Sequence, residues 1–207
     1  MRRENAVFIW VPKCAGTSIA YTLGLERHKT VGSIQTKFAG QGLVTFAHID
    51  YARLVREGYV SQTFHQSALK FTFVRNPYDR AVSLYFYLRR AKRFPMYYSF
   101  SQFVHHLAEQ GYESIGLFNS VGLSQCNPQM RWIEGAEIDF IGRYESLQVD
   151  MAYLCHSLGL PLYRIAHLNQ SPHRPFPHYY DKTTERLVRS LYAEDFEILN
   201  YPTTLQP

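Results

Sequence analysis

The stretch Phe8-Ile9-Trp10-Val11-Pro12-Lys13-Cys14-Ala15-Gly16-Thr17-Ser18 decides the fold of this chain. The apolar run from Val7 to Val11 is typical of a strand that is buried on both faces. Pro12 to Gly16 predicts a tight turn, and Thr17 to Leu25 predicts a short helix. Because the first turn of a helix carries backbone N–H groups without intrahelical acceptors, this strand–turn–helix unit predicts a phosphate site.

The turn adds its own polar groups to this predicted site. Its residue order is not that of a Walker loop, in which the lysine follows the glycine, because here Lys13 precedes Gly16. Cys14 is interpreted as a small spacer and not as a nucleophile, since no base stands beside it in the sequence. The residues predicted to hold the phosphate group are Lys13, Cys14, Ala15, Gly16, Thr17 and Ser18.

A second strand–helix junction carries an arginine. Leu69 to Val74 predicts a strand, and Asn76-Pro77 is typical of a helix start. The guanidinium group of Arg75 can form a forked pair with a phosphate. Ser83 lies about two helical turns further along, so its hydroxyl group can reach the same phosphate.

A histidine lies between these two junctions. Leu43 to Ile49 predicts a strand, and His48 stands near its end. Ligands of open parallel sheets bind beyond the carboxyl ends of the strands, so we expect Lys13, His48 and Arg75 to converge in one crevice. Imidazole can accept a proton near neutral pH, which makes His48 the first candidate for a general base. The weaker candidates are Glu57, His65 and Glu145, of which Glu145 is expected to cap the helix that follows it.

The alternation of strands and helices predicts an α/β fold, with a central parallel sheet and helices on both faces. Further helices are predicted at 51–57, 78–93, 101–110, 127–132, 147–158 and 184–199, and a further strand at 138–142. Irregular segments are predicted at 26–42, 94–100 and 167–180. The chain contains no internal repeat and no linker, so residues 1–207 are predicted to form one domain.

Composition narrows the functional classes. The net charge of +5 suits an anionic ligand, but the known basic nucleic-acid motifs are absent, and so is an apolar run of membrane-spanning length. The three cysteines are widely spaced and form neither a disulfide nor a metal-binding pattern. These features predict a cytoplasmic enzyme without a transmembrane segment, although a lumenal domain trimmed of its anchor would have the same composition.

The two phosphate motifs together resemble those of sulfotransferases that use 3′-phosphoadenosine 5′-phosphosulfate (PAPS). The turn around Lys13 resembles their 5′-phosphosulfate loop, and the string from Arg75 to Ser83 resembles their 3′-phosphate motif. The resemblance is nearest to the carbohydrate, Golgi-type members and their bacterial relatives. Supporting similarity is found at Asn127-Pro128-Gln129, 138–145, 167–171 and 192–196.

The resemblance implies a Rossmann-like, P-loop-like nucleotide-binding fold. It also implies that PAPS is the co-substrate, that 3′-phosphoadenosine 5′-phosphate (PAP) is the product and that no metal is needed. The acceptor would be a hydroxyl group, expected on a glycan or glycolipid, and His48 matches the position of the histidine base in glycan-modifying members. Asn169 and Ser171 would bind the nucleotide from the segment 167–171, which we call the late loop.

The same sequence features are also compatible with two other functions. A small-molecule kinase shares the strand–loop–helix phosphate site, although the Walker order is missing. A protein that binds PAPS or PAP without catalysis would keep the same motifs. The sequence identifies neither the acceptor nor the oligomeric state.

Overall fold

The computed structural model describes residues 5–27, 42–46, 48–95, 97–115, 120–121, 123–161, 164–165, 168 and 173–205. Its central sheet has five parallel strands in the order β2-β3-β1-β5-β7. These strands are β1 (Asn5–Ile9), β2 (Glu26–Arg27), β3 (Gly42–Thr45), β5 (Leu69–Val74) and β7 (Phe140–Arg143). A second, two-stranded parallel sheet is formed by β4 (His48–Ile49) and β6 (Ser120–Val121).

The helices of the described residues follow the strands in chain order. They are α1 (Gly16–Thr22), α2 (Tyr51–Arg56), α3 (Gln62–Ser67), α4 (Pro77–Arg90), α5 (Phe100–Gln110), α6 (Gln129–Ile133), α7 (Leu147–Leu158), α8 (Lys182–Leu191) and α9 (Ala193–Ile198). The same described ranges contain short 3-10 turns at Tyr112–Ser114, Tyr144–Ser146 and Phe176–Tyr179. No helix within these ranges combines the length and the apolar character that crossing a membrane requires.

Both faces of the sheet are covered, because the side chains of a strand alternate between its faces. On one face, Phe8 of β1 packs in a cluster with residues of α1 and α7. On the other face, Val7 and Ile9 pack with residues of α2, α3 and α6. A third cluster joins α4, α5, α8 and α9. The predicted fold class, a parallel sheet with helices on both faces, is therefore confirmed.

The strand order positions the site. After β1 the chain crosses to β2 and β3 on one side, whereas after β5 it crosses to β7 on the other side. Crossovers in opposite directions leave a crevice between the two strands, and this is where ligands of such sheets bind. The residues that follow β1 and β5, which include Lys13 and Arg75, therefore lie side by side at the carboxyl edge.

The predicted strand from Leu43 to Ile49 is wrong as one element. The structure divides it into β3, which ends at Thr45 in the central sheet, and β4, which pairs with β6. At the end of β3 the Thr45 hydroxyl group donates to the Phe8 carbonyl oxygen (2.9 Å), and the next side chain, Phe46, is buried. His48 therefore opens a strand of the second sheet and does not end one of the first.

The predicted last helix, 184–199, is also two elements. The backbone of Tyr192 leaves the helical region (φ −116°, ψ 31°), which separates α8 from α9. Its ring is buried, and its hydroxyl group donates to the Cys126 carbonyl oxygen (3.0 Å), so tertiary packing overrides the continuous helical pattern. Glu26 and Arg27 form β2 where irregular chain was predicted, and residues 28–41 of that segment lie outside the described residues.

Candidate active site

The turn after β1 has a constrained backbone. Lys13 and Ala15 have positive φ values of 70° and 61°, a conformation that costs a residue with a side chain about 1–3 kcal/mol and is concentrated at functional sites. The next residue, Gly16, begins α1 under the indole ring of Trp10. A Cβ atom at this position would lie 1.8 Å from Trp10 Nε1, so only glycine fits.

Lys13 is directed toward α4. Its Nζ atom lies 4.4 Å from the centre of the Tyr87 ring. Burial, followed by the nearby Arg75 and Arg90 guanidinium groups and, more weakly, by Arg80, lowers the pKa of Lys13 to about 8. The amine is thus held in a positively charged environment, which an anionic ligand would neutralise.

Arg75 contacts the same turn from the end of β5. Its side chain is buried, and Nη1 donates to the Lys13 carbonyl oxygen (3.2 Å). Nε donates to Asp79 on α4 (2.8 Å), and the guanidinium group lies 3.9 Å from the centre of the Tyr144 ring. These contacts fix the guanidinium beside the turn. The structure thus brings Lys13 and Arg75 together, as the sequence predicts, and their role as phosphate ligands stays a prediction.

Gln129, at the start of α6, holds the two motifs in register. Its Oε1 atom accepts hydrogen bonds from the Arg75 backbone N–H (2.8 Å) and the Cys14 thiol (3.2 Å). Its Nε2 atom donates to the Arg75 carbonyl oxygen (2.8 Å) and to Asp195 (3.3 Å). An amide is needed here, because a carboxylate cannot donate and a hydrophobic side chain can do neither. The fully buried Gln129 therefore fixes Arg75 relative to the turn.

Arg80 supports the turn from below. This side chain on α4 is 1% exposed, and its Nε donates to the Pro12 carbonyl oxygen (3.0 Å). Its Nη2 donates to the Gln125 and Asn127 carbonyl oxygens (2.9 and 3.0 Å). Because these partners are neutral carbonyl groups, the positive charge of Arg80 adds to the electrostatic field of the site.

Sequence reasoning missed both support residues. Arg80 lies between Arg75 and Ser83 in the predicted 3′-phosphate motif, and Gln129 lies in the segment Asn127-Pro128-Gln129, for which no site role is predicted. One feature of the sequence indicates such support residues. It is a charged or amide side chain next to a motif, at a position where the surrounding apolar pattern predicts burial.

His48 reaches the turn from β4. Its Nδ1 atom lies 3.3 Å from the Trp10 carbonyl oxygen. Because a carbonyl group only accepts, this hydrogen bond assigns the proton to Nδ1 and makes Nε2 the basic nitrogen of the neutral ring. The ring packs edge-on against the indoles of Trp10 and Trp132, with centroid distances of 5.2 and 6.2 Å. His48 therefore joins the site through the second sheet, and not by the route that the sequence predicts.

The position of Glu145 corrects one prediction. It was expected to cap the helix that follows it, but its Oε1 atom accepts from the backbone N–H of Asn76 (2.6 Å), immediately before α4. Its Oε2 atom accepts from the Tyr201 hydroxyl group (3.0 Å). Glu145 thus stabilises the junction between β5 and α4.

The other two alternative bases also have partners. Glu57 pairs with Arg53 at the end of α2 (3.3 Å). His65 forms a hydrogen bond through Nδ1 with the Tyr51 hydroxyl group, and burial, followed by the charge of Lys70, lowers its pKa. His48 remains the first candidate for the base because its ring contacts the chain at Trp10, immediately before the turn that carries Lys13.

The remaining predicted ligands have different surroundings. The Ser18 hydroxyl group accepts from the Leu168 backbone N–H (3.0 Å) and contacts the Leu168 carbonyl oxygen (3.4 Å), which links α1 to the late loop. Ser83 is buried on α4, one turn after Asp79. Asn169 and Ser171 lie outside the described residues.

The turn cysteine is buried and chemically quiet. Burial raises the pKa of the Cys14 thiol to about 12, so at neutral pH it is not a thiolate. Its hydrogen bond to Gln129 gives it a packing role, in agreement with its interpretation as a spacer.

Fold and site together define an α/β protein with a cluster of cationic side chains at the topological switch point of a parallel sheet. The model of the Sulfotransferase family matches residues 1–202. The chain therefore belongs to the sulfotransferase family. The match confirms the enzyme class that the two motifs predict, a PAPS-dependent sulfotransferase.

Solved structures agree at the level of the fold. The chain is similar to mouse sulfotransferase SULT7A1, crystallised in complex with PAP, with a TM-score of 0.60 and 13% identity over 96% of this chain and 86% of the other. It is also similar to a sulfotransferase from Alicyclobacillus acidocaldarius, with a TM-score of 0.51 and 16% identity over 95% and 94% of the two chains. A curated relative, an uncharacterized protein from Archaeoglobus fulgidus, is 32% identical over 103 residues, which are 49% of this chain and 77% of the relative.

Proposed function

We propose that this enzyme transfers a sulfuryl group from PAPS to a hydroxyl group of a carbohydrate, with His48 as the general base. One observation carries the proposal. The four residues from Trp10 to Lys13 are contacted by His48 at the Trp10 carbonyl group (3.3 Å) and by Arg75 at the Lys13 carbonyl group (3.2 Å). A candidate base and two cations are thus anchored to one short segment, residues 10–13.

The cationic and hydroxyl side chains of the site fit PAPS, because PAPS carries negative charge on its 3′-phosphate and on its 5′-phosphosulfate. In the proposal Arg75 and Ser83 hold the 3′-phosphate, and Lys13 holds the 5′-phosphosulfate. The buried Arg80 adds a third positive charge beneath the turn. Such a site suits a polyanion, because the ligand would neutralise cations that otherwise lower the pKa of Lys13.

These residues have separate parts in the proposed transfer. PAPS supplies the sulfuryl group, which passes in line from its phosphate to the acceptor oxygen. His48 Nε2 takes the proton of the acceptor hydroxyl group, and the hydrogen bond to Trp10 holds the ring in the required tautomer. Lys13 stabilises the negative charge that develops on the departing phosphate, as cations do in phosphoryl transfer.

A carbohydrate acceptor is supported by the sequence resemblance to glycan-modifying members and by the charge near the site. The last residue of α4, Arg90, and the two basic residues just after it, Lys92 and Arg93, are exposed and would attract an anionic glycan. Of the aromatic residues just beyond them, Phe100 and Phe103 are buried in the core, whereas Tyr97 is 82% exposed and available to stack on a sugar.

An acceptor screen tests this function. Transfer of radiolabelled sulfate from PAPS should be measured with glycans, glycolipids and simple phenols as acceptors, and phosphate transfer from ATP should be measured in parallel. Transfer to a glycan supports the proposal, whereas transfer from ATP alone would identify a kinase. PAP binding without any transfer would identify a protein that binds the nucleotide without catalysis. The cytoplasmic setting also stays a prediction; Cys14, Cys126 and Cys155 are buried thiols.

The Arg75→Ala variant should lose the preference for the 3′-phosphate. Wild-type protein should bind PAP more tightly than adenosine 5′-phosphate by about ten- to a hundredfold, since a charge-assisted hydrogen bond contributes roughly 1.5–3 kcal/mol. In the variant the two affinities should approach each other. Isothermal titration calorimetry with both nucleotides measures the difference.

The matched control for this variant is Arg131→Ala. Arg131 lies on α6, is 53% exposed at its side chain and pairs with Glu134 (3.4 Å). Its loss should leave the preference for PAP unchanged, since such exposed pairs contribute little. Equal affinity of the wild-type protein for the two nucleotides would contradict the proposed 3′-phosphate site.

PAP binding should also depend on pH through Lys13, whose pKa burial and neighbouring cations lower to about 8. Below that value the amine is already protonated. Above it, binding of the anion must draw a proton, so the affinity for PAP should fall by up to about tenfold per pH unit. Calorimetry at about pH 8.5 in two buffers of different ionisation enthalpy should detect this proton uptake.

The control for the pH dependence is Lys13→Arg, because arginine stays charged throughout this range. The variant should bind PAP without proton uptake at the same pH. If wild-type affinity is the same at pH 7 and pH 9, Lys13 does not contact the nucleotide as a titrating cation.

A further inference from the structure

Tyr87 is the aromatic residue on which Lys13 rests. It lies on α4 one helical turn after Ser83, and its ring centre is 4.4 Å from Lys13 Nζ. The ring is half-buried between the core of α4 and the turn. A cation at this distance from an aromatic ring is attracted by the negative charge of the ring face.

The charged groups around Lys13 make this contact important. Arg75 approaches from the end of β5, and Arg80 and Arg90 approach from α4, so all three disfavour a protonated amine. The neighbouring Cys14 is a neutral thiol at neutral pH. In the part of the chain that the structure describes, no carboxylate forms an ion pair with Lys13.

The nearby acids are directed to other partners. Asp79 accepts from Arg75 (2.8 Å), and Glu145 accepts from the Asn76 backbone N–H (2.6 Å). Among the described residues, the face of Tyr87 is therefore a group in contact with Lys13 Nζ that favours the charged amine over the neutral one. A desolvated cation–π contact increases the ratio of protonated to neutral amine by about five- to thirtyfold.

We propose that Tyr87 is a positioning residue for Lys13, whose ring face holds the ammonium group beside α4 and keeps it protonated before the co-substrate binds. The inference rests on the proposed function for its meaning in catalysis, because a neutral amine could not stabilise a departing phosphate. The contact itself is independent of any nucleotide. It can therefore be tested separately from the proposed function.

The test is an NMR titration of the lysine side chains. The chain has six lysines, so selective 13C and 15N labelling gives few signals, and Lys13→Arg identifies that of Lys13. In Tyr87→Leu the pH midpoint of the Lys13 signal should fall by about one pH unit relative to wild type. In Tyr87→Phe, which keeps the ring face, the midpoint should stay where it is in wild type.

A graded series covers the case in which Tyr87→Leu does not fold. Phenylalanine with one, two or three ring fluorines at position 87 keeps the shape of the ring while it weakens the negative face. The Lys13 midpoint should then fall stepwise with each fluorine, and the signal of Lys182, which is exposed on α8, should not move. A constant midpoint across this series overturns the proposal, as does an unchanged midpoint in a folded Tyr87→Leu variant.

A second arm separates this inference from the proposed function. Addition of PAP to wild-type protein should move the Lys13 midpoint upward, because an anion favours the ammonium group. A response to ring fluorination without a response to PAP would keep the role of Tyr87 and contradict Lys13 as a nucleotide ligand. The opposite result would keep the nucleotide site and contradict the role of Tyr87.

Discussion

The Lys13→Ala variant is expected to lower the turnover number by about a hundred- to a thousandfold at saturating PAPS. This is the usual loss when one group that stabilises developing charge is removed. The affinity for PAP should fall much less, because the charge that Lys13 stabilises grows as the bond to sulfur breaks. Steady-state kinetics with the acceptor found in the screen, together with calorimetry of PAP binding, separates the two effects.

Lys182→Ala is the matched control for this variant. Lys182 opens α8 and is exposed, so its loss removes the same charge from the chain without touching the turn. Its turnover number should equal that of wild type. If Lys13→Ala instead keeps a normal turnover number and loses only affinity, Lys13 is a phosphate anchor and does not act on the transition state.

The His48→Ala variant should reduce turnover by about a hundredfold or more, the usual scale for the loss of a general base. PAP binding should stay normal, because the proposed contact of His48 is with the acceptor hydroxyl group. The imidazole must be neutral to accept a proton, so wild-type activity should rise with pH on the acid side. The variant should lose that rise, and a pH profile of kcat/KM measures it.

His48→Asn and His105→Ala are the controls for this experiment. Asparagine keeps a polar side chain that cannot take up the proton, so His48→Asn should be as slow as His48→Ala. His105 lies on α5, and its Nδ1 also contacts a backbone carbonyl oxygen, that of Ser101 (2.8 Å), but α5 has no residue in the turn. Its replacement should leave turnover unchanged. Normal turnover of His48→Ala would mean that another group is the base, and Glu57, His65 and Glu145 would be examined next.

The central strands of the fold can be predicted from the sequence. β1 is almost wholly apolar, and β5 places three apolar residues among Lys70 and Thr72 before it ends in Val74; both strands are buried and lie in the middle of the parallel sheet. The break between β3 and β4 could not be predicted, because residues on both sides of it are equally apolar. Long-range pairing with β6 decides where the first strand ends. The break at Tyr192 has the same cause, since a buried tertiary contact interrupts a regular helical pattern.

The site was predictable only in part. Lys13 and Arg75 follow strands, and the rule for parallel sheets brings such residues to one edge. The placement of His48 beside the turn was predicted for the wrong reason, since it depends on the second sheet and on the Trp10 carbonyl group. An amide at a position of predicted burial was a signal for Gln129, but its partners could not be predicted, because they are backbone groups of Arg75 that are far from it in sequence.

The hydrogen bonds of Gln129 have a consequence for biosynthesis. Asp195 accepts from the Gln129 and Met130 backbone N–H groups (2.8 and 2.9 Å) and from the Gln129 side chain, so α9 holds the start of α6 in place. A polypeptide is made from its N-terminus, and its N-terminal parts fold first. Both phosphate motifs therefore leave the ribosome long before the carboxylate that secures the residue between them. A nascent chain carries Lys13 and Arg75 early, and their mutual geometry is completed only when the segment that contains Asp195 has been synthesised.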